Sequence, residues 1–240
     1  MKFSILMANF NAATFIKDAV ESVLRQTYAS WELIFVDDAS TDNSLKQIEK
    51  FRSVFGIKII RRETNGGYGL TLRTAIEHAT GDIIAILDSD DMLDKEALQV
   101  MVDHHQKNPK CALIYSQFMS CNAKLKSVRI GDCGPIPKGK TWLDILTKKI
   151  VVKPKIRISH FKTFKRSAYN KTKGFHKLRR TVDKDIVLKL EEIARPLFID
   201  RILYYYRVHP KGISRNRSTH PFGKIIVQRA IERRSKNEVS

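Results

Sequence analysis

The sequence predicts an α/β fold in which a mostly parallel sheet is flanked by helices. Stretches that are apolar throughout alternate with amphipathic stretches over the first 120 residues, which is typical of a parallel sheet covered on both faces. The apolar stretches end in polar and acidic residues, as strands do where such a sheet binds a ligand. With 240 residues, 42% of them hydrophobic, the chain is long enough for one domain with a full core.

Hydrophobic periodicity places the elements of the first half. The predicted strands are residues 3–7, 33–36, 57–60, 83–87 and 111–118. The predicted helices are residues 14–26, a segment with Leu45, Ile48 and Phe51 facing inward, and residues 70–79 and 94–107. The first helix is the clearest, because its apolar residues recur on one helical face: Phe15, Ile16, Ala19, Val20, Val23 and Leu24.

The alternation breaks after about residue 120. Helices are predicted at 141–149, at 183–193 and from 221 onward, and strands at 159–164, 196–199 and 202–206. The last helix is basic and amphipathic, and its predicted apolar side consists of Ile225, Ile226, Ala230 and Ile231. A basic helix of this kind lies on an anionic membrane or packs as an ordinary terminal helix, and both readings stay open.

The net charge of +19 is unevenly distributed. Residues 1–140 hold 18 Lys and Arg against 17 Asp and Glu, whereas residues 141–240 hold 26 against 8. A fold that binds nucleic acid along its whole length is not expected to divide in this way. The division favours a near-neutral nucleotide-binding part followed by a part that meets something anionic.

Cysteine content and hydropathy indicate the compartment. Three cysteines are too few for a disulfide scaffold, and their odd number fits a reducing environment. No apolar run has the length of a signal-peptide core or of a membrane span. We therefore expect a cytoplasmic protein, with peripheral contact at the inner face of the cell membrane through the basic helix.

Three carboxylates follow one predicted strand, in the segment Asp88-Ser89-Asp90-Asp91. Like charges this close repel one another unless a cation intervenes, and a hard ion such as Mg²⁺ or Mn²⁺ prefers oxygen ligands. The functional hypothesis is a metal that bridges this segment to a nucleotide diphosphate. The alternative is that Asp90, Asp91 and Asp94 cap the following helix.

Two further candidates end neighbouring predicted strands. Asp38 could accept hydrogen bonds from a base or a ribose, or it could cap a turn as Asp37 does. Phe10 could stack on a nucleobase, or it could belong to the core, which a lone aromatic favours.

Taken together, several segments resemble the family-two glycosyltransferases of the GT-A fold, in order and in spacing. The first 120 residues carry Ala8-Asn9-Phe10-Asn11, Gln26-Thr27-Tyr28, residues 31–43 (Trp-Glu-Leu-Ile-Phe-Val-Asp-Asp-Ala-Ser-Thr-Asp-Asn), Asn65-Gly66-Gly67, Ala79-Thr80-Gly81-Asp82 and Leu87-Asp88-Ser89-Asp90-Asp91. The second half adds residues 164–169 with Gly174-Phe175, residues 183–190, and Tyr206-Arg207-Val208-His209-Pro210 with Ser214. The chain departs from the family pattern at Ala8 and Asn9, and at Val182, where the family usually has Glu.

The resemblance implies a role for each matching residue. Phe10 and Asp38 would flank the nucleobase and Asp88 would face the ribose. Asp90 would hold the metal. Asp183 would deprotonate the acceptor hydroxyl, with Asp185 left open as the base. Arg207 and His209 would meet the diphosphate or the metal, so that Arg207 is a candidate nucleotide-binding residue and His209 a candidate metal ligand.

The resemblance also implies how the chain is organised and what it does. Residues 1–120 would bind the nucleotide sugar, residues 121–220 would bind the acceptor and supply the base, and residues 221–240 would form a basic tail. The implied activity is inverting transfer of a sugar, dependent on Mn²⁺ or Mg²⁺. The donor would be a UDP-sugar, and the acceptor a glycan or lipid-linked hydroxyl in surface polysaccharide synthesis. The alternative is a basic nucleic-acid-binding protein, suggested by Tyr204-Tyr205-Tyr206 among arginines.

Overall fold

A computed structural model of the chain describes residues 1–152, 156–178, 181–210, 212 and 220–237. Within them the chain forms nine strands and eight helices. The strands are β1 (Phe3–Asn9), β2 (Trp31–Asp37), β3 (Ile57–Arg61), β4 (Ile83–Ile86), β5 (Met92–Leu93), β6 (Leu113–Cys121), β7 (Ser127–Ile130), β8 (Lys162–Lys165) and β9 (Leu197–Arg207). The helices are α1 (Ile16–Leu24), α2 (Ser44–Glu49), α3 (Tyr68–Glu77), α4 (Ala97–Lys107), α5 (Trp142–Leu146), α6 (Arg166–Tyr169), α7 (Val182–Glu191) and α8 (His220–Asn237).

All nine strands belong to one mixed sheet, in the order β3-β2-β1-β4-β8-β6-β9-β5, with β7 paired to β6. The first four strands of this order are parallel, and β6 and β9 are also parallel. Strand β8 runs antiparallel between β4 and β6. The predicted α/β fold with a mostly parallel sheet flanked by helices is therefore confirmed, with β8 as an antiparallel insertion.

Alternation along the strands divides the core between the two faces of the sheet. Leu6, Ile34 and Ile84 belong to a cluster that includes residues of α3, α7 and α8. Their neighbours Ile5 and Leu33 belong to a second cluster with α1 and α4. Both faces are apolar and covered, which explains why the central strands read as continuous apolar runs.

Several elements differ from the sequence prediction. The predicted strands 196–199 and 202–206 are one strand, β9, whose register against β6 shifts twice near Gln117. Strands β5 and β7 and helix α6 were not predicted. Strand β7 is exposed at all four residues and β5 has only two residues, so neither carries a hydrophobic period.

Helix α8 packs against α7 through only part of its predicted apolar side. Ile226 and Ala230 are fully buried, but Ile225 is 42% exposed and Ile231 is 38% exposed. Two residues of the predicted apolar side are therefore packed, and the other two are exposed. Two ion pairs join α8 to the C-terminal end of α7 and its cap residue, Arg234 to Glu191 at 2.7 Å and Arg233 to Glu192 at 2.8 Å.

The described helices include none that is both long enough and apolar enough to cross a membrane.

Candidate functional site

Strands β1, β2 and β4 end at the same edge of the sheet, where the polar segments of the sequence meet. Asn9 is paired in register with Asp37, so Phe10 and Asp38 leave neighbouring strand ends side by side. Asp37 is buried and accepts hydrogen bonds from Asn9 Nδ2 at 2.8 Å and from the Ser40 amide at 2.9 Å. Asp37 therefore stabilises the turn, as expected.

Asp38 binds the loop that precedes α3. Its two oxygens accept hydrogen bonds from the amides of Gly66 at 2.9 Å and Gly67 at 2.7 Å, and Arg62 Nε lies 2.9 Å from Oδ1. The Asp38 side chain thus places the loop beside the end of β2. Phe10 is 49% exposed, so the alternative that it belongs to the core was wrong.

Asp88 follows β4 and is only partly buried. Tyr68, the first residue of α3, donates a hydrogen bond from its hydroxyl to Asp88 Oδ1 at 2.7 Å. Burial and the charge of Asp90 raise the pKa of Asp88 to about 6, although Tyr68 and Lys162 act in the opposite direction. A cation placed beside Asp88 would stabilise the ionised form of its carboxylate.

Asp91 is fully buried at the same turn. Its oxygens accept hydrogen bonds from the Tyr204 hydroxyl and the Arg207 amide, both at 2.7 Å. Burial and the charges of Asp90 and Asp88 raise the pKa of Asp91 well above its usual range. These hydrogen bonds hold the turn formed by residues 88–91 against β9.

The alternative that Asp90 and Asp91 cap the next helix was wrong. Helix α4 begins at Ala97, and the carboxylates of Asp90 and Asp91 instead contact side chains and main chain from β9 and the segment after it. Only Asp94 serves the start of the helix, since its Oδ1 accepts from the Glu96 amide at 3.0 Å.

Asp90 and His209 form a pair at this edge. His209 Nε2 lies 2.9 Å from Asp90 Oδ2, and the His209 ring packs on Phe15 with centroids 4.5 Å apart. Asp90 keeps 29% of its side chain exposed, whereas His209 is 7% exposed. The structure brings together the two residues that the resemblance implied as metal ligands.

Arg207 is committed to protein partners. Its guanidinium donates to the Asp90 carbonyl at 2.8 Å, to the Ala123 carbonyl at 3.0 Å and to Asp18 Oδ2 at 2.8 Å. Its central carbon also lies 4.6 Å from the centre of the Phe15 ring. In this arrangement Arg207 holds the Asp90 turn in place, and direct contact with a nucleotide stays a prediction.

His160 is a neighbour of the acidic turn that the sequence did not single out. Its ring stacks on Tyr204 at 4.6 Å and on Tyr206 at 5.0 Å. One ligand atom each from Asp88, Asp91 and His160 lies within 4.8 Å of the others. Burial lowers the pKa of His160 to about 3, so its ring is neutral and able to act as a ligand.

The tyrosines of β9 are used within the protein. Tyr204 is buried and bonded to Asp91, Tyr206 stacks on His160, and the Tyr205 hydroxyl donates to Asp94 at 3.4 Å. The stacking platform that suggested nucleic-acid binding is therefore not a free surface in these residues.

Asp183 lies in the first turn of α7, where Lys162 Nζ is 3.2 Å from its Oδ2. Burial raises its pKa, but the charge and hydrogen bond of Lys162 outweigh that effect, and the pKa of Asp183 is lowered. The side chain keeps 42% of its surface exposed. The N-cap position of this helix belongs to Thr181, so Asp183 does not cap it.

Asp185 is on the opposite side of α7 and is 1% exposed. It pairs with Lys189 at 2.6 Å, and Lys189 Nζ also donates to the Gly174 carbonyl at 2.7 Å. These contacts make Asp185 part of the packing beneath α7.

The arrangement has two chemical parts. One is an acidic edge with an exposed aromatic ring, suited to a cation and a nucleotide. The other is an ionised, accessible carboxylate on α7, suited to accepting a proton. The charge of Asp183 raises the pKa of Asp88, so the two parts are close enough to interact.

The family model described as "Glycosyl transferase family 2" matches residues 4–173. A curated relative is the chondroitin synthase of Pasteurella multocida (strain Pm70), which is 29% identical over 226 residues. The match covers 93% of this chain but 22% of that protein, so the chain spans about a fifth of its relative's length.

Two solved structures have the same fold. TarS 1–349 of Staphylococcus aureus in complex with UDP-GlcNAc has a TM-score of 0.72 and 22% identity, covering 88% of this chain and 60% of that one. The mannosyltransferase PcManGT from Pyrobaculum calidifontis in complex with GDP-Man and Mn²⁺ has a TM-score of 0.66 and 19% identity, covering 88% and 58%. These likenesses support the predicted GT-A architecture.

Proposed function

The chain belongs to glycosyl transferase family 2, and on that basis we propose that it transfers a sugar from a nucleotide diphosphate sugar to an acceptor hydroxyl. The proposed donor is a UDP-sugar, and the proposed acceptor is a hydroxyl of a glycan or a lipid-linked glycan in surface polysaccharide synthesis. The observation that carries the proposal is the acidic edge at Asp88, Asp90 and Asp91, with the accessible carboxylate of Asp183 nearby.

The donor would bind across the ends of β1, β2 and β4. Phe10, as an exposed ring, would stack on the base, and Asp38 would border the base through the loop that it holds. Asp88 would accept a hydrogen bond from a ribose hydroxyl. The UDP-GlcNAc complex of TarS favours a uridine donor by analogy of fold.

A divalent ion, Mn²⁺ or Mg²⁺, fits the residues of the acidic edge. The donor set is rich in carboxylate oxygen, and Asp90 Oδ2 and His209 Nε2 lie 2.9 Å apart at this edge. Asp90 and His209 would hold the ion, with Asp88 beside them. When bound, it would neutralise charge on the departing diphosphate.

Asp183 would act as the general base. Its lowered pKa keeps it ionised near neutral pH, and its exposure leaves it accessible to an acceptor hydroxyl. A single carboxylate base suits direct in-line attack, which inverts the anomeric carbon. We prefer Asp183 to Asp185, because Asp185 is buried against Lys189.

Arg207 would act as a positioning residue. Its contacts with the Asp90 carbonyl, Asp18 and Phe15 fix the turn that carries the metal ligand.

The test is transfer from a panel of UDP-sugars to defined oligosaccharide acceptors with Mn²⁺, with product stereochemistry read by NMR. We expect EDTA to abolish transfer, and Asp90→Asn and Asp183→Asn each to lower kcat by at least about a hundredfold. Asp200→Asn, an exposed carboxylate on β9, is the matched control and should keep its activity. Full activity in both site variants would refute the proposal.

A further inference from the structure

We propose that Lys162 is a positioning residue that orients the Asp183 carboxylate and directs its Oδ1 oxygen toward the acceptor. The inference rests on the proposed function, because it concerns the residue assigned as the base. It assigns Lys162 a role that the sequence patterns did not suggest.

Lys162 is fixed more firmly than the carboxylate it contacts. The lysine is 4% exposed, and its Nζ donates both to the Ser159 carbonyl and to Asp183 Oδ2, the latter at 3.2 Å. Asp183 Oδ2 is thereby occupied, whereas Oδ1 has no hydrogen-bond or ion-pair partner among the described residues. A carboxylate held through one oxygen presents the other in a defined direction.

The position of β8 in the sheet accounts for the contact. Residues alternate along the strand, so Phe161 joins the core on the α4 side while Phe164 joins the core on the α7 side. Lys162 projects to the α7 side, where Asp183 lies in the first turn of that helix. An antiparallel strand inserted between β4 and β6 thus places a buried ammonium between the acidic edge and the base.

The surrounding charges leave Lys162 as the main cation facing Asp183 in the described part of the chain. His160, on the segment before β8, has a lowered pKa and is neutral. Lys184, the next residue on α7, lowers the pKa of Asp183 less than Lys162 does. Asp88 at the end of β4 and Tyr68 at the start of α3 are also close enough for the charge of Asp183 to raise their pKa values.

A buried ammonium needs an anionic partner, so the pair is interdependent. Lys162 also lowers the pKa of Asp88. Removing the ammonium would free the Asp183 side chain to rotate and would make its ionised form less favourable. A structural role alone would lower stability without changing how the base titrates.

The experiment compares pH–rate profiles of the wild-type chain with those of Lys162→Gln, Lys162→Met and Lys162→Arg. Lys165→Met is the matched control on the same strand, since Lys165 contacts the Pro109 carbonyl instead. We expect the Gln and Met variants to shift the acid limb upward by about one pH unit or more and to lower kcat at pH 7 at least tenfold. The KM for the donor should change little. Lys162→Arg should partly restore the wild-type position of the acid limb, and Lys165→Met should leave that position unchanged.

A second readout does not require transfer. The carboxyl ¹³C resonance of Asp183 should titrate at a higher pH in Lys162→Gln than in the wild-type chain, and unchanged titration would overturn the proposal. An unchanged acid limb and kcat in both neutral variants would overturn it as well. Full activity of Asp183→Asn is a different result, which would remove the base assignment and the proposed mechanism with it.

Discussion

Asp90 and Asp91 are neighbours in the chain, yet only Asp90 is open to solvent. Asp91 is fully buried, and its two oxygens accept hydrogen bonds from the Tyr204 hydroxyl and the Arg207 amide. Asp90 keeps an accessible carboxylate that is steered by His209. Burial separates the structural carboxylate of Asp91 from Asp90, the proposed metal ligand. The sequence shows only two adjacent acidic residues and carries no sign of that difference.

Glu32 is a second carboxylate whose work is structural, and it gives a pH-dependent prediction. It accepts hydrogen bonds from Lys2, Ser4 and Thr80, at the edge of the sheet opposite the acidic cluster. Burial raises its pKa, but these donors outweigh that effect and lower it to about 2, against an ordinary value of 4.5. The stability that Glu32 contributes is therefore fully present above pH 4.5 and is lost as the pH falls toward 2.

We expect Glu32→Gln to lower the free energy of unfolding at pH 7 by about 1 to 2 kcal/mol, allowing for solvent screening of Lys2. The difference from the wild-type chain should narrow between pH 4.5 and pH 2. Urea unfolding across that range measures it, with the exposed Glu63→Gln as control. A difference that does not change with pH would show that the carboxylate charge is not the cause.

The residues predicted from motifs lie close together in the structure, whereas the residues that support them could not be predicted from the sequence. Asp90 and His209 come together as the resemblance implied, and the charge of Asp90 raises the pKa of the nearby Asp88. Tyr68, His160 and Lys162 were not singled out, because each owes its place to a contact between segments distant in the chain. A histidine or lysine inside an apolar stretch has no local pattern that separates it from an ordinary strand residue.

Elements with a strong period were predicted well, and elements defined by their neighbours were not. Helix α1 and strands β1 to β4 lie close to the expected positions because their apolar residues recur regularly. Strand β5 exists because two residues pair with Tyr204 and Tyr205 of β9. Periodicity within so short a segment contains no information about that pairing.

Helix α8 provides a matched pair of residues for a test at the scale of the element. Ile226 is fully buried beside α7, and its neighbour Ile225 is 42% exposed. We expect Ile226→Ala to lower the free energy of unfolding by about 2 to 4 kcal/mol, because it leaves a cavity in the core. Ile225→Ala should change it by less than about 0.5 kcal/mol.

Chemical denaturation of the two variants measures this difference. Equal effects would mean that α8 does not pack on α7 as described, and that its apolar residues are free for another partner.

The charge of the whole molecule leads to a prediction about membranes. Part of the basic excess is neutralised within the fold, as in the pairs that Arg233 and Arg234 form with α7. Ile225 and Ile231 are exposed on α8, but they do not form a continuous apolar face. We therefore expect any association with membranes to be electrostatic rather than insertive.

We expect the chain to bind vesicles rich in anionic lipid at about 20 mM salt and to be released at about 0.5 M salt, where charges are screened over a few ångströms. Vesicles of zwitterionic lipid are the control and should not bind. Flotation measures both, and charge reversal at Lys224 and Lys236 should weaken binding if α8 is the contact. Absence of binding at low salt would exclude the membrane interaction.

The contacts of the acidic turn also have a consequence for how the molecule assembles. Asp91 is bonded to residues 113 and 116 positions later, and Asp90 meets His209 119 positions later. During synthesis these carboxylates have no partners until β9 and the segment after it have been made. Contacts between residues so distant in sequence also form slowly. The edge that would bind a nucleotide is thus completed only once β9 and the segment after it are in place, and a fragment ending near residue 120 would contain the motifs without these contacts.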